Sequence, residues 1–352
     1  MQHFEEALNQ AVSLISEEEN KRKALASQLA GSTNKVRDLA LPDKELFIPI
    51  KEQKLNAKVA GIDSGFTNIS LLNIEIVLIR AVAAVFTYKN NSLEQAEYLP
   101  KVIPMPEPII CTKAMQNEDI PVNKSLLRLI RETNVASETI RKFRPDFCFL
   151  DGSIVPQHAD KPRENSCLKP LYEKTLLAFE ELYECALKSG VMLIACVEDS
   201  KGTMLQDMLG LSSENLVYDT NLLSYVMEEG TRTFAFPYSR DPSKHPVLKD
   251  IKKELSEKIF VFYIRSSKYD IPLRVEILAK SISSLSNCVD TAASVAYTLS
   301  KGHREYSYPS VLLEADLHAR LKPEEVQAVM DKVLCKLQPA NVALRRNRRP
   351  FD

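Results

Sequence analysis

KVAGIDSGFTNISLLNIEIV, residues 58–77, is the stretch whose reading decides the fold. Val59, Ala60 and Ile62 read as a buried strand that delivers Asp63 at its end. Gly65 supplies the backbone freedom of a turn, and Ser64, Thr67 and Asn68 its polar caps. A second run of alternating apolar positions begins at Ile69. For one aspartate taken alone, a turn-forming Asx bend is the commoner reading. A second copy changes that: residues 145–155, PDFCFLDGSIV, form another apolar strand that ends in Asp151-Gly152-Ser153. Two carboxylates at strand ends point to a site.

The totals narrow the classes. The chain has 352 residues, 45% apolar, enough for a substantial core and long for one domain. Its 46 basic and 47 acidic residues leave a net charge of −1. That argues against a generally basic coat for nucleic acid, but not against a local basic groove. Seven cysteines form no CxxC pair, and DFCFL and LIACV place some of them in apolar runs. These features predict a reducing cytoplasm and no zinc site. MQHFEEALNQ lacks the regions of a secretory signal, and no run approaches ~18 apolar residues, so no membrane association is expected. Nine glycines, with no GG pair, no GxGxxG and no GxxxxGK[ST], give nucleotide binding little support.

Outward from the opening stretch, Phe4, Leu8, Val12 and Ile15, then Leu25 and Leu29, predict an amphipathic helix over 2–30. Strands are predicted at 58–63, 69–76, 77–86 and 98–104, the middle two adjoining without a turn signal. Lys89-Asn90-Asn91-Ser92 reads as a short turn of an antiparallel meander. A helix over 123–143 with Asn123 as N-cap, strand 146–151, helix 168–189 capped by Gly190 and strand 191–197 complete the first half. This is the order of a ribonuclease H-like mixed sheet flanked by helices, in an α/β fold. The second half predicts helix 213–228, strands 259–265 and 272–278, and helices 281–300, 309–320 and 323–337. The division expected is an N-terminal helix and link (1–45), a ribonuclease H-like domain with a helical C-terminal elaboration (46–340) and a basic tail (341–352).

The helix before Asp151 holds two glutamates. At ~100° per residue, Leu126, Leu129, Ile130, Ala136, Ile140 and Phe143 define its apolar face. Glu132 lies on the border of that face and Glu138 points away, so Glu132 is the one that can lean toward the sheet rim. Three carboxylates without thiolates are a hard-oxygen set suited to Mn²⁺ or Mg²⁺. Two such ions stabilise the attacking and leaving oxygens of phosphodiester displacement. Lys201, in VEDSKGT, follows strand 191–197 near the same rim. His318, in YPSVLLEADLHARL, is a candidate fourth ligand or proton donor. Arg274, inside the apolar strand IPLRVEI, needs a carboxylate or phosphate partner.

With these residues in place the chain resembles the NurA nucleases. The resemblance rests on GIDSG at 61–65, Glu132, LDGSI at 150–154, Asp-Ser-Lys at 199–201, PLRVE at 272–276 and His318. It implies a manganese-dependent DNA nuclease with 5′→3′ exonuclease and single-strand endonuclease activity. It also implies a homodimer that works with the hexameric translocase HerA, a hexameric ATPase, in end resection, DNA repair and homologous recombination. Carried over by position, Asp63, Glu132, Asp151 and His318 are the metal-site residues and Lys201 and Arg274 the substrate contacts, Lys201 also catalytic. Two other readings compete. DSGFTN resembles the first phosphate loop of an actin/sugar-kinase-like ATPase, and a non-catalytic DNA-binding subunit could keep the same fold.

Overall fold

In a computed structural model that describes residues 2–71, 74–111, 115–211 and 217–336, the opening stretch does not turn at Gly65. From the N-terminus the chain forms α1 (Gln2–Ala30), α2 (Thr33–Asp38), β1 (Phe47–Pro49), β2 (Ala57–Leu71), β3 (Ile74–Lys89), β4 (Ser92–Leu99) and β5 (Glu107–Cys111). Next come α3 (Asp119–Phe143), β6 (Phe147–Asp151), α4 (Lys169–Ser189) and β7 (Met192–Val197). The second half has α5 (Met204–Met208), α6 (Asp219–Val226), β8 (Thr231–Thr233), β9 (Phe236–Pro237) and α7 (Lys253–Ser256). It continues with β10 (Ile259–Arg265), β11 (Leu273–Leu278), α8 (Leu285–Leu299), α9 (Ser310–Ala319) and α10 (Pro323–Lys336).

Asp63 therefore lies inside a 15-residue strand rather than at a strand end. β2 pairs antiparallel with β3 without interruption, from Ala57 opposite Tyr88 to Leu71 opposite Ile74, and residues 72–73 lie outside the described residues. Three of the residues that read as turn chemistry, Gly65, Ser64 and Asn68, make other contacts instead. A Cβ on Gly61 would stand 2.4 Å from the Val311 carbonyl oxygen, and one on Gly65 would stand 2.4 Å from that of Ala319. The glycines thus let α9 lie against the strand. The Ser64 hydroxyl donates to Glu132, and the Asn68 amide donates to Ser70 (2.9 Å) and Glu75 (3.2 Å).

The chain divides into two units. One comprises Lys54–Ile194, Ser243–Ser256 and Ser310–Asp352. Its strands run in the order β7-β6-β2-β3-β4, with β5 beside β3. β2, β3 and β4 are antiparallel, whereas β6 is parallel to β2. This is the predicted ribonuclease H-like mixed sheet. The β3–β4 hairpin turns at Asn90 and Asn91, both with positive φ (49° and 67°), as a two-residue connection requires. β4 is displaced from the expected 98–104: it begins at Ser92 and ends at Leu99, before Pro100. α3 starts four residues ahead of Asn123. Pro121 falls in its first turn, where a missing N–H leaves no helical bond unmade. Gly190, at φ 73°, caps α4 as expected.

α10 packs Val326, Val329, Met330 and Val333, with Leu321 just before it, against Ile69, Leu71, Ile76 and Leu78 on the distal half of the hairpin. At the corner between α9 and α10, buried Arg80 on β3 donates to the Arg320 carbonyl (3.0 Å) and to both oxygens of Glu325. That guanidinium holds the Glu325 carboxyl below its ordinary range.

The other unit comprises Met1–Gln53, Ala195–Pro242 and Glu257–Pro309. Its strands run β1-β8-β10-β11, with β9 beside β10. β1, β8 and β9 are too short to leave a periodic signal. Ala26 and Leu29 of α1 pack with Leu222, Leu223, Phe234, Phe236 and Tyr263 in its core. The first half of α1 does not share in this: Phe4 (70%), Leu8 (49%), Val12 (54%) and Ile15 (65%) are exposed. The helix expected over 213–228 is described only as α6, and residues 212–216 and the basic tail lie outside the described residues. All seven cysteines are free thiols, and Cys148 and Cys196 are buried as their apolar runs predict. No helix among the described residues is long and apolar enough to cross a membrane.

Candidate active site

The site begins where β6 stops. The last β2–β6 pair is Ile62 with Leu150, so Asp63 and Asp151 are the next residues on two adjacent parallel strands. Past that point the flank of β2 is no longer covered by β6, and side chains from helices can approach it. α3 brings Glu132 there. Glu132 is buried, as is Asp63, whereas Glu138 faces solvent, in line with their positions around the helix. The Ser64 hydroxyl donates to Glu132 Oε2, and Arg128 Nη1 donates to the same oxygen at 2.8 Å.

The proximity perturbs the charge of these groups. Burial, and next the negative charge of Glu132, push the Asp63 carboxyl up to about 7, and Asp316 adds to the shift. Burial raises Glu132 too, with Asp151 contributing and Arg128 opposing. Packed acids that resist losing their protons in this way are a site short of positive charge.

Asp316 was not anticipated. Val311 sits over Gly61 and Ala319 over Gly65. Eight helical residues span ~12 Å and four strand residues ~13 Å, so α9 runs along β2 and its midpoint, at Ala315 and Asp316, passes Asp63. Asp316 is half exposed and ion-paired with Arg320 at 3.3 Å. A signal was present: two glycines four apart around an aspartate mark a strand that another backbone crosses closely.

His318 comes from the same helix but is two residues on, ~200° around it. Its Nε2 lies 3.0 Å from Glu314 Oε1, and its ring meets Tyr98 edge-on at 5.2 Å. Tyr98 donates its hydroxyl to the same Glu314 oxygen at 2.5 Å.

Lys201 and Arg274 belong to the other unit. Lys201 is exposed, on the loop before α5. Arg274 is buried, its Nε donating to Glu276 at 2.7 Å and its guanidinium lying over the Tyr238 ring at 5.2 Å. That satisfies the partner requirement read from the sequence with a carboxylate. A Cβ on Gly202 would stand 2.4 Å from Arg274 Nη1, so the Lys201 loop rests directly on this guanidinium. Asp219 anchors the loop further. It is fully buried, its N–H donates to the Gly202 carbonyl (2.8 Å), and its carboxylate accepts from Leu205, Gln206 and the Tyr263 hydroxyl.

The donor set around Asp63 is all carboxylate oxygen, which fits a hard divalent cation such as Mn²⁺ or Mg²⁺. As they stand, the described side chains form no group of three or more His, Cys, Asp or Glu that could hold a metal ion. Mutual repulsion of unneutralised carboxylates is a physical reason for such an open arrangement.

Comparison with known proteins gives a consistent result. A family profile described as the NurA domain matches residues 57–321. The fold is similar to the crystal structure of the NurA nuclease from Sulfolobus solfataricus, at 14% identity and a TM-score of 0.58, covering 97% of this chain and 99% of that one. It is similar also to a structure of NurA bound to dAMP and manganese, at 10% identity and a TM-score of 0.60, covering 95% and 98%. No curated protein sequence matches.

Proposed function

Because the chain belongs to the NurA family, we propose that it is a metal-dependent DNA nuclease whose centre is built from Asp63, Glu132, Asp151 and Asp316. The observation that carries this is the pairing of Ile62 with Leu150, which sets two aspartates side by side where Glu132 arrives from α3. Bound Mn²⁺ or Mg²⁺ would supply positive charge to the attacking and leaving oxygens of an in-line phosphodiester displacement. The chain's own part is to hold the carboxylates. Ser64 and Arg128 fix the Glu132 oxygen, and the two glycines bring α9 close enough for Asp316 to face Asp63.

In this reading Lys201 contacts a strand phosphate and Arg274 sets the loop that presents it. The finer activities, 5′→3′ exonuclease and single-strand endonuclease action in end resection with a HerA-type ATPase, are those of the resemblance and part of this proposal. The ATPase alternative needs a phosphate loop at 63–67, but these residues are strand, paired with 78–82. End-labelled single- and double-stranded DNA incubated with and without Mn²⁺ tests the activity. The expected result is cleavage only with the cation, and no cleavage with any divalent cation would refute the proposal.

Asp316 and His318 can be told apart. Asp316→Asn is expected to weaken Mn²⁺ binding by about 10–100-fold, read by calorimetry, and to slow cleavage in step. His318→Ala should leave Mn²⁺ affinity within about 3-fold, since its Nε2 is engaged with Glu314. The reverse pattern would make His318 the ligand.

The exposed row on α1 bears on assembly. We assign it to the homodimer or to the ATPase contact, because among the described residues Phe4, Leu8, Val12 and Ile15 serve no core. Deleting residues 1–16 should weaken assembly in light scattering and pull-down, while metal-dependent cleavage of short single strands persists. Unchanged dimerisation and unchanged ATPase binding would remove the idea.

A further inference from the structure

A second polar site lies in the unit that carries β1, β8, β10 and β11. The loop after β10 and the segment after α8 enclose a cavity of about 380 Å³ lined by Ser266, Lys268, Tyr269, Lys301, His303 and Arg304, with Glu229 as its one carboxylate. From this lining we infer a pocket for a phosphomonoester, and specifically for the terminal phosphate of a nucleic-acid strand.

Charge comes first. Lys301 is matched by Glu52 at 2.5 Å, whereas among the described residues neither Lys268 nor Arg304 has a carboxylate within ion-pair distance. Glu229 does not cancel Lys268: it accepts that residue's backbone N–H at 3.1 Å and thereby shapes the loop. Two uncompensated cations in a concave site match a dianion. A phosphomonoester carries about −1.5 to −2 at neutral pH, against about −1 for an internal diester. On a chain with net charge −1 such a local excess is a specific feature, not a consequence of composition.

The pocket is also pre-formed. The Arg265 guanidinium ties the loop to the Ser224 (2.6 Å), Met227 (3.0 Å) and Lys268 (3.2 Å) carbonyls. Ser267 Oγ accepts the Tyr269 N–H at 3.1 Å, and Asp270 accepts that of Ser307 at 2.5 Å. Ser266 is 8% exposed, and among the described residues its hydroxyl has no hydrogen-bond partner. A hydroxyl left in that state costs stability unless a ligand accepts from it. Tyr269, 58% exposed beside Lys268, offers a face on which the terminal nucleoside can stack.

The strand-end assignment rests on the nuclease reading, whereas the preference for a phosphate dianion does not. Fluorescence anisotropy in EDTA, where cleavage cannot interfere, compares short single strands bearing a 5′-phosphate, a 3′-phosphate or only hydroxyl ends. At least one phosphorylated end should bind about 10-fold more tightly than the hydroxyl strand. That gain should fall below about 2-fold in Lys268→Gln/Arg304→Gln, both exposed positions, with the melting temperature unchanged. Ser266→Ala, read in parallel, should reduce the gain in part. Equal binding of all three strands together with no saturation by inorganic phosphate, or a gain that survives the double variant, would overturn the pocket. Calorimetric saturation by inorganic phosphate without any strand-end gain would overturn its assignment to a strand. Mn²⁺-dependent cleavage of the hydroxyl-ended strand should be unaffected by the double variant. Its absence from the unmodified protein would count against the nuclease reading alone.

Discussion

Asp63→Asn is expected to abolish metal-dependent cleavage and, at the same time, to make the metal-free protein more stable at pH 7. The first effect follows from its place in the proposed centre, beside Asp151 and near Asp316, and a loss of about 10²–10³-fold in turnover is the scale for removing a group that organises transition-state charge. The second follows from burial. The ordinary value for Asp is 3.8, and in the fold it is pushed up to about 7. Between those values the folded chain holds a proton that the unfolded chain has released. Stability from this group is therefore full below pH 4 and lost as pH rises through 7. Above pH 7 the fold carries a penalty on the order of 2–4 kcal/mol for the ionised, crowded carboxylate.

Asparagine does not ionise, so the variant escapes that penalty. Thermal melting in EDTA should show the unmodified protein losing stability from pH 4 to pH 7.5, with the variant flatter and several degrees higher at the upper end. Added Mn²⁺ should restore the unmodified protein at pH 7.5 and do little for the variant. A variant that cleaves at the normal rate, or that melts lower at pH 7.5, contradicts the assignment.

Gly65→Ala should have the larger structural effect. The new Cβ would stand 2.4 Å from the Ala319 carbonyl oxygen and 3.0 Å from its carbonyl carbon, both backbone atoms. No flexible side chain can yield, so α9 must lift from β2. Lifting it strains the corner held by Arg80, Arg320 and Glu325 and moves Asp316 away from Asp63. A cost of about 3 kcal/mol is the expected scale for overpacking that has no side chain to rotate. Denaturant midpoints measure it, and Mn²⁺ affinity should fall alongside. Serine in place of Gly31, whose nearest neighbour to a new Cβ is 3.6 Å away, serves as the control with little effect. A Gly65→Ala midpoint equal to that of the control would show that α9 is not pinned there.

The sequence made the sheet legible because its strands are long and apolar, and because Asn90-Asn91 and Gly190 carry unambiguous backbone chemistry. It misled at Gly65. Asp-Ser-Gly followed by Thr and Asn is the composition of a turn, and nothing local reveals that the glycine exists to admit a helix more than 240 residues later in the chain. Asp316 was hidden for the same reason, since its relevance depends on where α9 lies. Asp63, Asp151 and Glu132, which the fold brings near one another, could be read as a set because two copies of one pattern and one helix border are local features. Arg274 read correctly as a cation in need of a partner, yet the partner is Glu276, two residues along the same strand.

The central claim is that Asp63, Glu132, Asp151 and Asp316 together bind a divalent cation. Anomalous diffraction from crystals soaked in Mn²⁺ tests it most directly. The account predicts a manganese peak bounded by the Asp63 and Asp151 carboxylates, with the Asp316 side chain released from Arg320 to join them. Saturating Mn²⁺ with no peak at Asp63, or a peak held by His318 and Glu314 instead, would contradict it.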